Sequence, residues 1–335
     1  MLTTNKGKKI VDSMPLILII AFLFIVSLIF AGKMITLRES GYALQNGENA
    51  DIITADEKKD EEAKYSDLIM HHAVEVPILL YHHIAEEVTA DTVVSPETFE
   101  SHVKMLVENG YTGVCFEQIV AYVEDEGELP PKPIIITFDD GYLSNYEFAF
   151  PVLQKYNMKA TIFVIGISVG KDTYRDTGDS DFAILPRFSY EQANEMIESG
   201  LVSIQSHSYD MHRWEPFEQL LNGEYRDGIL PLENESSDEY RKNFEADSRR
   251  AKTELETHTQ TKLTAYSYPY GKYTEDADNI LREMGIKATV TLYSGSNDII
   301  RHMPETLYRL MRIHVNDIPS ETLLENIVKR KINLS

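Results

Sequence analysis

The stretch PIIITFDDGY, residues 133–142, runs from mainly apolar side chains directly into two adjacent carboxylates and then a glycine. A continuous apolar run of this length predicts a strand buried on both faces, which is typical of a parallel sheet. Because neighbouring side chains leave a strand in different directions, Asp139 and Asp140 can have different roles. Asp-Asp-Gly is also common turn chemistry, so this stretch alone is equally compatible with a structural turn.

Similar apolar runs alternate with helical patterns from residue 76 to the end of the chain. The predicted strands are residues 76–81, 133–138, 159–165, 201–205, 263–268, 287–292 and 311–315. The predicted helices are residues 96–108, 148–156, 190–199, 238–257, 277–284 and 320–331, and an irregular insertion is predicted over 213–235. This alternation predicts one α/β domain, a distorted (β/α) barrel, over residues 76–335. We therefore expect the polar residues that follow the strands to meet at one face.

An uncharged apolar run, residues 14–31, lies near the N-terminus. As a helix it would span roughly 27 Å, close to the ~30 Å hydrocarbon core of a bilayer. Three lysines precede the run and two basic residues follow it closely. This modest excess of positive charge on the N-terminal side favours a cytoplasmic N-terminus. We therefore expect a cytoplasmic tail over residues 1–13, a single transmembrane anchor over residues 14–32 and an extracytoplasmic body at the cell membrane.

A cleavable signal peptide is the alternative for this segment, and it would make the protein secreted. The apolar run is longer than a usual signal core, and the bulky Ile29 stands two positions before Ala31, where cleavage favours a small residue. Residues 33–75 are polar and acidic, which predicts a solvated linker. In either case, we expect the domain over residues 76–335 to lie outside the cytoplasm.

The charge and the cysteine content exclude several kinds of partner and site. The chain has 54 acidic and 32 basic residues, a formal net charge of -22, which argues against nucleic acid or anionic lipid as the main partner. Cys115 is the single cysteine, so neither an intramolecular disulfide nor a cysteine-rich metal cluster can form. It lies in a segment that predicts a buried strand, where we expect a structural thiol.

A second polar motif, SHSYDMH at residues 206–212, also follows an apolar run. Its two histidines, His207 and His212, would be about 140° apart around a helix, which is unsuitable for shared metal binding. From a strand end and the loop beyond it, both can converge. One aspartate oxygen and two imidazole nitrogens would make a three-ligand site with open positions for water and substrate. An isolated histidine is more often structural.

Together, TFDDG and the downstream HS…H motif resemble the polysaccharide deacetylase family, carbohydrate esterase family 4, over about residues 76–315. The histidine spacing and the segment SYPYG, residues 267–271, resemble the branch that acts on poly-N-acetylglucosamine and related polymers. The resemblance implies a barrel of the polysaccharide deacetylase type. It also implies a divalent metal, with zinc as the expected ion. The implied residues are Asp140, His207 and His212 as metal ligands, Asp139 as general base, and the backbone amide of Tyr270 as an oxyanion donor.

The chain departs from the family pattern at three points. Many relatives carry an arginine, braced against the base, where Ser267 stands here, and Arg312 is a candidate substitute. The tryptophan motif of many relatives is missing, since the single tryptophan, Trp214, lies in the insertion. His314 is the nearest match to the late general acid, although Arg312 occupies an apolar position of that motif. The histidines after the first predicted strand, His82 and His83, are alternatives for this role, for sugar contact or for a structural one.

The resemblance implies hydrolysis of N-acetyl groups on N-acetylglucosamine units of a cell-surface polysaccharide. The sequence leaves open whether that polymer is an exopolysaccharide or the peptidoglycan of a cell wall. Two alternatives remain at this point. The first is an O-acetyl ester hydrolase, because the same side chains serve both reactions. The second is an inactive, metal-bearing glycan-binding protein, because two family motifs are incomplete.

Overall fold

The computed structural model describes residues 73–174, 182–183, 185–212 and 226–332. The predicted tail, the predicted anchor and all but the last three residues of the predicted linker lie outside these ranges, as does Trp214. No helix within the described ranges combines the length and apolarity that crossing a bilayer requires. The membrane anchor therefore stays a prediction.

The described residues form a sheet with helices between its strands. The strands are β1 Ala73–Glu75, β2 Ile78–Tyr81, β3 His83–Ile84, β4 Val93–Val94, β5 Thr112–Gly113, β6 Pro133–Asp140, β7 Ala160–Val164, β8 Thr173–Tyr174, β9 Phe182–Ala183, β10 Val202–Ser206, β11 Ala265–Ser267, β12 Ala288–Val290, β13 Asp298–Ile300 and β14 Ile313–His314. The α-helices are α1 Pro96–Glu108, α2 Phe116–Val123, α3 Phe150–Tyr156, α4 Tyr190–Glu198, α5 Ser237–Thr259, α6 Glu275–Glu283 and α7 Ser320–Ile332. A π-helical turn, Asn145–Ala149, precedes α3.

The main sheet is parallel, with the strand order β12-β11-β10-β7-β6-β2-β14. The last segment of the sheet reaches both of its edges. Ile313 pairs with Leu79 of β2, while Leu310, three residues earlier, forms a parallel bridge to Val290 of β12. The sheet therefore curls round, as expected for a distorted (β/α) barrel.

The buried strands pack on both faces, which explains their continuous apolar runs. One cluster of buried residues combines the buried side of α2 with these strand residues: Ile78, Ile135, Phe163, Ala265, Ala288 and Val290. The alternate positions, among them Leu79, Ile136, Ile162, Ile204 and Tyr266, belong to a second cluster that includes buried residues of the surrounding helices. Because side chains alternate along a strand, Thr137 and Asp139 share the face of Ile135. The base candidate therefore emerges at the inner face.

Each barrel strand predicted from the sequence is present, and each predicted helix is present within a few residues. Helix α1 begins as predicted, with the Ser95 side chain accepting a hydrogen bond from the Thr98 amide. The strand predicted around Cys115 is wrong, because only Thr112–Gly113 forms a strand and Cys115 precedes the first residue of α2. The thiol is buried and donates to the Ala160 carbonyl, and burial raises the pKa of Cys115 to about 12. This is the structural thiol that we expected.

Residues before position 76, the predicted start of the domain, also take part in the fold. Ala73–Glu75 pairs antiparallel with Asp298–Ile300. The partner strand lies more than 200 residues away in the chain, so no local pattern in the acidic segment indicates the pairing.

Gly271 offers a test of how closely the loops pack above the sheet. Its φ is +67°, and an added Cβ would overlap the backbone nitrogen and side chain of Leu292. Gly110 also has a positive φ, +77°, but an added Cβ there meets nothing within 4 Å. Replacing either glycine by alanine should cost about 1 kcal/mol for the backbone conformation. Gly271→Ala should cost about 1–3 kcal/mol more, because the added methyl group would overpack the contact with Leu292. Urea unfolding of both variants measures the difference, and equal losses would contradict the close approach.

Candidate active site

The polar motifs meet at the carboxyl ends of neighbouring parallel strands. In the sheet, Asp140 of β6 is level with Val164 of β7, and Val164 is level with Ser206 of β10. Ser206 is in turn level with Tyr266 of β11. These four residues form one row across the sheet. His207 and Ser267 are the residues that come next after Ser206 and Tyr266, so they lie side by side at the same end of the sheet as Asp140. The common face expected from the barrel topology is therefore where the two motifs meet.

Asp140, His207 and His212 form a compact cluster whose potential ligand atoms all lie within 4.8 Å of one another. The Asp140 Oδ1 atom lies 3.3 Å from His212 Nε2 and 3.6 Å from His207 Nε2. Two ligands on a tetrahedral zinc, each bonded at about 2.0–2.1 Å, are separated by roughly 3.3–3.4 Å. Asp140 Oδ1 is also buried without a hydrogen-bond partner among the described residues. A buried carboxylate oxygen without a donor is unfavourable, so this donor set fits a divalent cation.

Each histidine is oriented through its other ring nitrogen. His207 Nδ1 donates to the Ser267 carbonyl oxygen at 2.8 Å, which leaves the lone pair of Nε2 towards Asp140. His212 Nδ1 lies 3.2 Å from the Tyr270 hydroxyl. Burial lowers the pKa of His212 to about 4, although the charge of Asp140 opposes this shift. At neutral pH this ring is uncharged, as a metal ligand must be.

Three residues at the ends of these strands adopt the left-handed backbone conformation without being glycine. They are Asp140 with a φ of 73°, Ser208 with a φ of 73° and Tyr270 with a φ of 56°. This region is unfavourable for residues with a Cβ, and such outliers cluster at functional sites. Each one turns the chain immediately at or beside a strand end, where the side chains of the cluster converge.

The neighbouring carboxylate, Asp139, is held by a buried arginine. Arg312 Nη1 and Nη2 donate to the two oxygens of Asp139, each at 2.8 Å, and both side chains are almost fully inaccessible to solvent. Ser267 Oγ lies 3.2 Å from Asp139 Oδ2 and 3.1 Å from Arg312 Nη2. The position at which relatives carry the bracing arginine is thus part of the same network, and the guanidinium comes from the residue that precedes β14. The structure confirms Arg312 as the substitute.

The charge state of Asp139 follows from these contacts. Burial by itself raises the pKa of this carboxyl, but Arg312, together with His207 and His82, outweighs that effect and lowers the pKa to about 2. The group is therefore ionised throughout the neutral range, as a general base requires. Burial also raises the pKa of Asp140, but its interactions with His212 and Arg187 outweigh that effect and lower the pKa.

The three general-acid candidates differ in position. His314 is exposed, and its Nε2 lies 3.3 Å from the Leu292 carbonyl oxygen at the rim. His83 makes a 2.8 Å hydrogen bond to Ser144 Oγ. His82 is half-buried and lies within electrostatic range of Asp139 and Asp140, whose charges oppose the lowering of its pKa by burial.

Arg187 is a site residue that the sequence did not indicate. Its guanidinium stacks on the ring of Tyr142 at 3.7 Å and lowers the pKa of Asp140. Its Nε and Nη1 atoms are buried without a hydrogen-bond partner in the described ranges. Nothing in the local sequence around Arg187 indicates this role, because the contact depends on a bridge between two loops, Tyr142 with Arg187. Tyr142 itself follows the DDG motif.

Comparison with known proteins agrees with this geometry. The model of the polysaccharide deacetylase family matches residues 126–289. YxkH, a polysaccharide deacetylase-family protein of Bacillus subtilis, is 32% identical over 241 residues, covering 72% of this chain and 71% of the relative. The poly-beta-1,6-N-acetyl-D-glucosamine N-deacetylase of Staphylococcus epidermidis is 26% identical over 234 residues, covering 69% and 71%.

Among solved structures, IcaB from Ammonifex degensii is similar, with a TM-score of 0.58 and 27% identity, covering 72% of this chain and 92% of that protein. The match to the family model and the 32% identity to YxkH agree with the motifs at the strand ends. The chain therefore belongs to the polysaccharide deacetylase family, carbohydrate esterase family 4, and is a hydrolase.

Proposed function

We propose that this protein removes N-acetyl groups from N-acetylglucosamine units of a cell-surface polysaccharide and that it needs a divalent metal, with zinc as the expected ion. The observation that carries the proposal is the pairing of two unlike carboxylates at one strand end. Asp140 presents a buried oxygen without a hydrogen-bond donor to two imidazoles, while Asp139 is kept ionised by Arg312. The name of the Staphylococcus epidermidis relative favours an exopolysaccharide over peptidoglycan.

The proposed chemistry assigns one role to each group. A divalent ion held by Asp140, His207 and His212 would polarise the acetyl carbonyl and acidify a water molecule. Asp139 takes the proton of the attacking water, and Arg312 holds this carboxylate in place. The Tyr270 backbone amide, in the left-handed conformation, donates to the developing oxyanion.

The C–N bond then breaks, and the departing nitrogen needs a proton. We assign this proton to His82, a half-buried imidazole that interacts electrostatically with both aspartates, whereas His314 is exposed. The products are acetate and a free amine on the sugar. His314 remains the alternative acid.

Substitutions distinguish the proposed metal ligands from the proposed base. Asp140→Ala and His207→Ala are expected to abolish zinc binding and acetate release, because each removes one of three ligands. Asp139→Asn keeps the ligands and should retain zinc, but turnover should fall by about 10²–10⁴ because the base is lost. Zinc content and mass spectrometry of N-acetylglucosamine oligomers measure the two effects. His258→Ala, which removes an exposed histidine stacked on Tyr190, is the control. Full activity of the metal-free protein would reject the mechanism.

Removing the brace tests whether Arg312 acts on the base. Arg312→Met leaves Asp139 buried without its cation, so the pKa of Asp139 rises. The acidic limb of the kcat/KM profile should then move to higher pH, and activity at neutral pH should fall. Arg312→Lys keeps a charge but loses the bidentate contact, so the acidic limb of its kcat/KM profile should lie between those of Arg312→Met and the wild type.

Arg249→Met removes an exposed arginine, paired with Glu245 on α5, and serves as the control. Urea unfolding must accompany these assays, since a broken buried pair typically costs about 3–5 kcal/mol. If folded Arg312→Met kept the wild-type pH profile, the brace would have no effect on the base.

The acid is identified by comparing amide and ester substrates. An amide nitrogen leaves poorly without a proton, whereas an ester oxygen needs less help. His82→Ala should therefore reduce deacetylation of chitooligosaccharide by about 10²–10⁴ and reduce deacetylation of acetylated xylan less. His314→Ala is the matched comparison at the rim. The reverse order would assign the acid to His314, and a wild type that prefers acetylated xylan would favour the O-acetyl ester alternative.

A further inference from the structure

The two histidine ligands are joined by a short turn, residues 207–212, which we call the histidine loop. Asp247, in the middle of α5, accepts hydrogen bonds from two successive amides of this loop. The Tyr209 N–H reaches Asp247 Oδ2 at 2.9 Å, and the Asp210 N–H reaches Oδ1 at 2.8 Å. One carboxylate therefore holds the backbone of the turn two residues before His212.

Further contacts clamp the histidine loop between α5 and the segment after β7. Arg250, close to Asp247 on α5, stacks on the Tyr209 ring at 3.9 Å. On the opposite side, the Gly166 N–H donates to the Ser208 carbonyl at 3.0 Å, and the Ile167 N–H donates to the Tyr209 carbonyl at 2.9 Å. A Cβ at Gly166 would collide with the Tyr209 ring, so the two segments are in close contact.

This clamp explains how His212 keeps its place. His207 directly follows β10 and is fixed by that strand and by the Ser267 carbonyl, whereas His212 lies five residues further along in irregular chain. Ser208 has a φ of 73°, so the loop begins in an unfavourable conformation that its surroundings must stabilise. Hydrogen bonds to a charged acceptor are about twice as strong as neutral ones, so Asp247 is well suited to do this.

We propose that Asp247 is a positioning residue for the metal centre, which acts through the histidine loop to hold the His212 imidazole against Asp140. This inference rests on the metal site of the proposed function. Without the carboxylate, two amide donors lose their acceptor and the loop samples other conformations. Only the molecules whose loop keeps the binding conformation can then bind zinc. The apparent zinc affinity therefore falls in proportion to the fraction of molecules in that conformation.

The test is zinc affinity, measured by competition with a chelator on the full chain, without any substrate. Asp247→Asn keeps the size of the side chain but offers one acceptor oxygen in place of two, and its amide nitrogen cannot accept the second N–H. Asp247→Ala removes both acceptors. We expect the zinc Kd to rise by roughly tenfold or more in both variants. Glu245→Gln makes the same charge change on the same helix, where the carboxylate pairs with Arg249, and should leave the Kd unchanged.

A merely structural role for Asp247 predicts a different result. The melting temperature of metal-free Asp247→Ala would then fall while the zinc Kd stayed at the wild-type value, and this outcome would overturn the inference. A positioning role predicts that saturating zinc restores acetate release to Asp247→Asn. If the wild-type chain itself bound no zinc, the metal site of the proposed function would be wrong, which is a separate failure.

Discussion

The buried contact between Arg312 and Asp139 is the interaction on which the rest of the site depends. Removing two charges from water is costly, and the structure offsets this cost by using most of the guanidinium. Besides the two bonds to Asp139, Arg312 Nε donates to the Thr291 carbonyl at 2.9 Å, and Nη2 lies 3.1 Å from Ser267 Oγ. These contacts connect the residue before β14 with the ends of β6 and β11 and with the chain beyond β12. The same side chain thereby helps to join the two edges of the curled sheet.

This contact also separates the roles of two adjacent carboxylates. Asp139 faces the inner side of the sheet, where the guanidinium occupies both of its oxygens. Asp140 turns away through its left-handed backbone and faces two imidazoles instead. Identical side chains one residue apart therefore differ in their main partners, although His207 Nε2 lies 3.7 Å from Asp139 Oδ2 and 3.6 Å from Asp140 Oδ1. We assign the first as the base and the second as a ligand. The alternation of side chains along a strand explains why Asp139 faces the inner side of the sheet. The left-handed backbone of Asp140 explains why its side chain faces the imidazoles.

Much of this could be predicted from the sequence, because the relevant patterns are local. Apolar runs identified the barrel strands, and the polar residues at the ends of β6 and β10, together with the family resemblance, indicated the proposed base and the three proposed ligands. The bracing role of Arg312 was only a candidate, since the contact joins residues 173 positions apart. Arg187 and Asp247 were not predicted. One depends on a bridge between two loops and the other on the packing of a helix against a turn, and neither leaves a pattern in the chain.

The charges at the site explain why a divalent ion suits the proposed reaction. The carboxylates of Asp139 and Asp140 carry two negative charges, which the guanidiniums of Arg312 and Arg187 balance, and burial keeps the His212 ring neutral. Binding a divalent cation adds two positive charges to this balanced set. An attacking water that loses its proton and an acetyl oxygen that gains electron density are both stabilised by that excess. In a buried site this stabilisation is stronger than in water. An overall acidic chain thus contains a site that would become locally positive on binding a divalent ion.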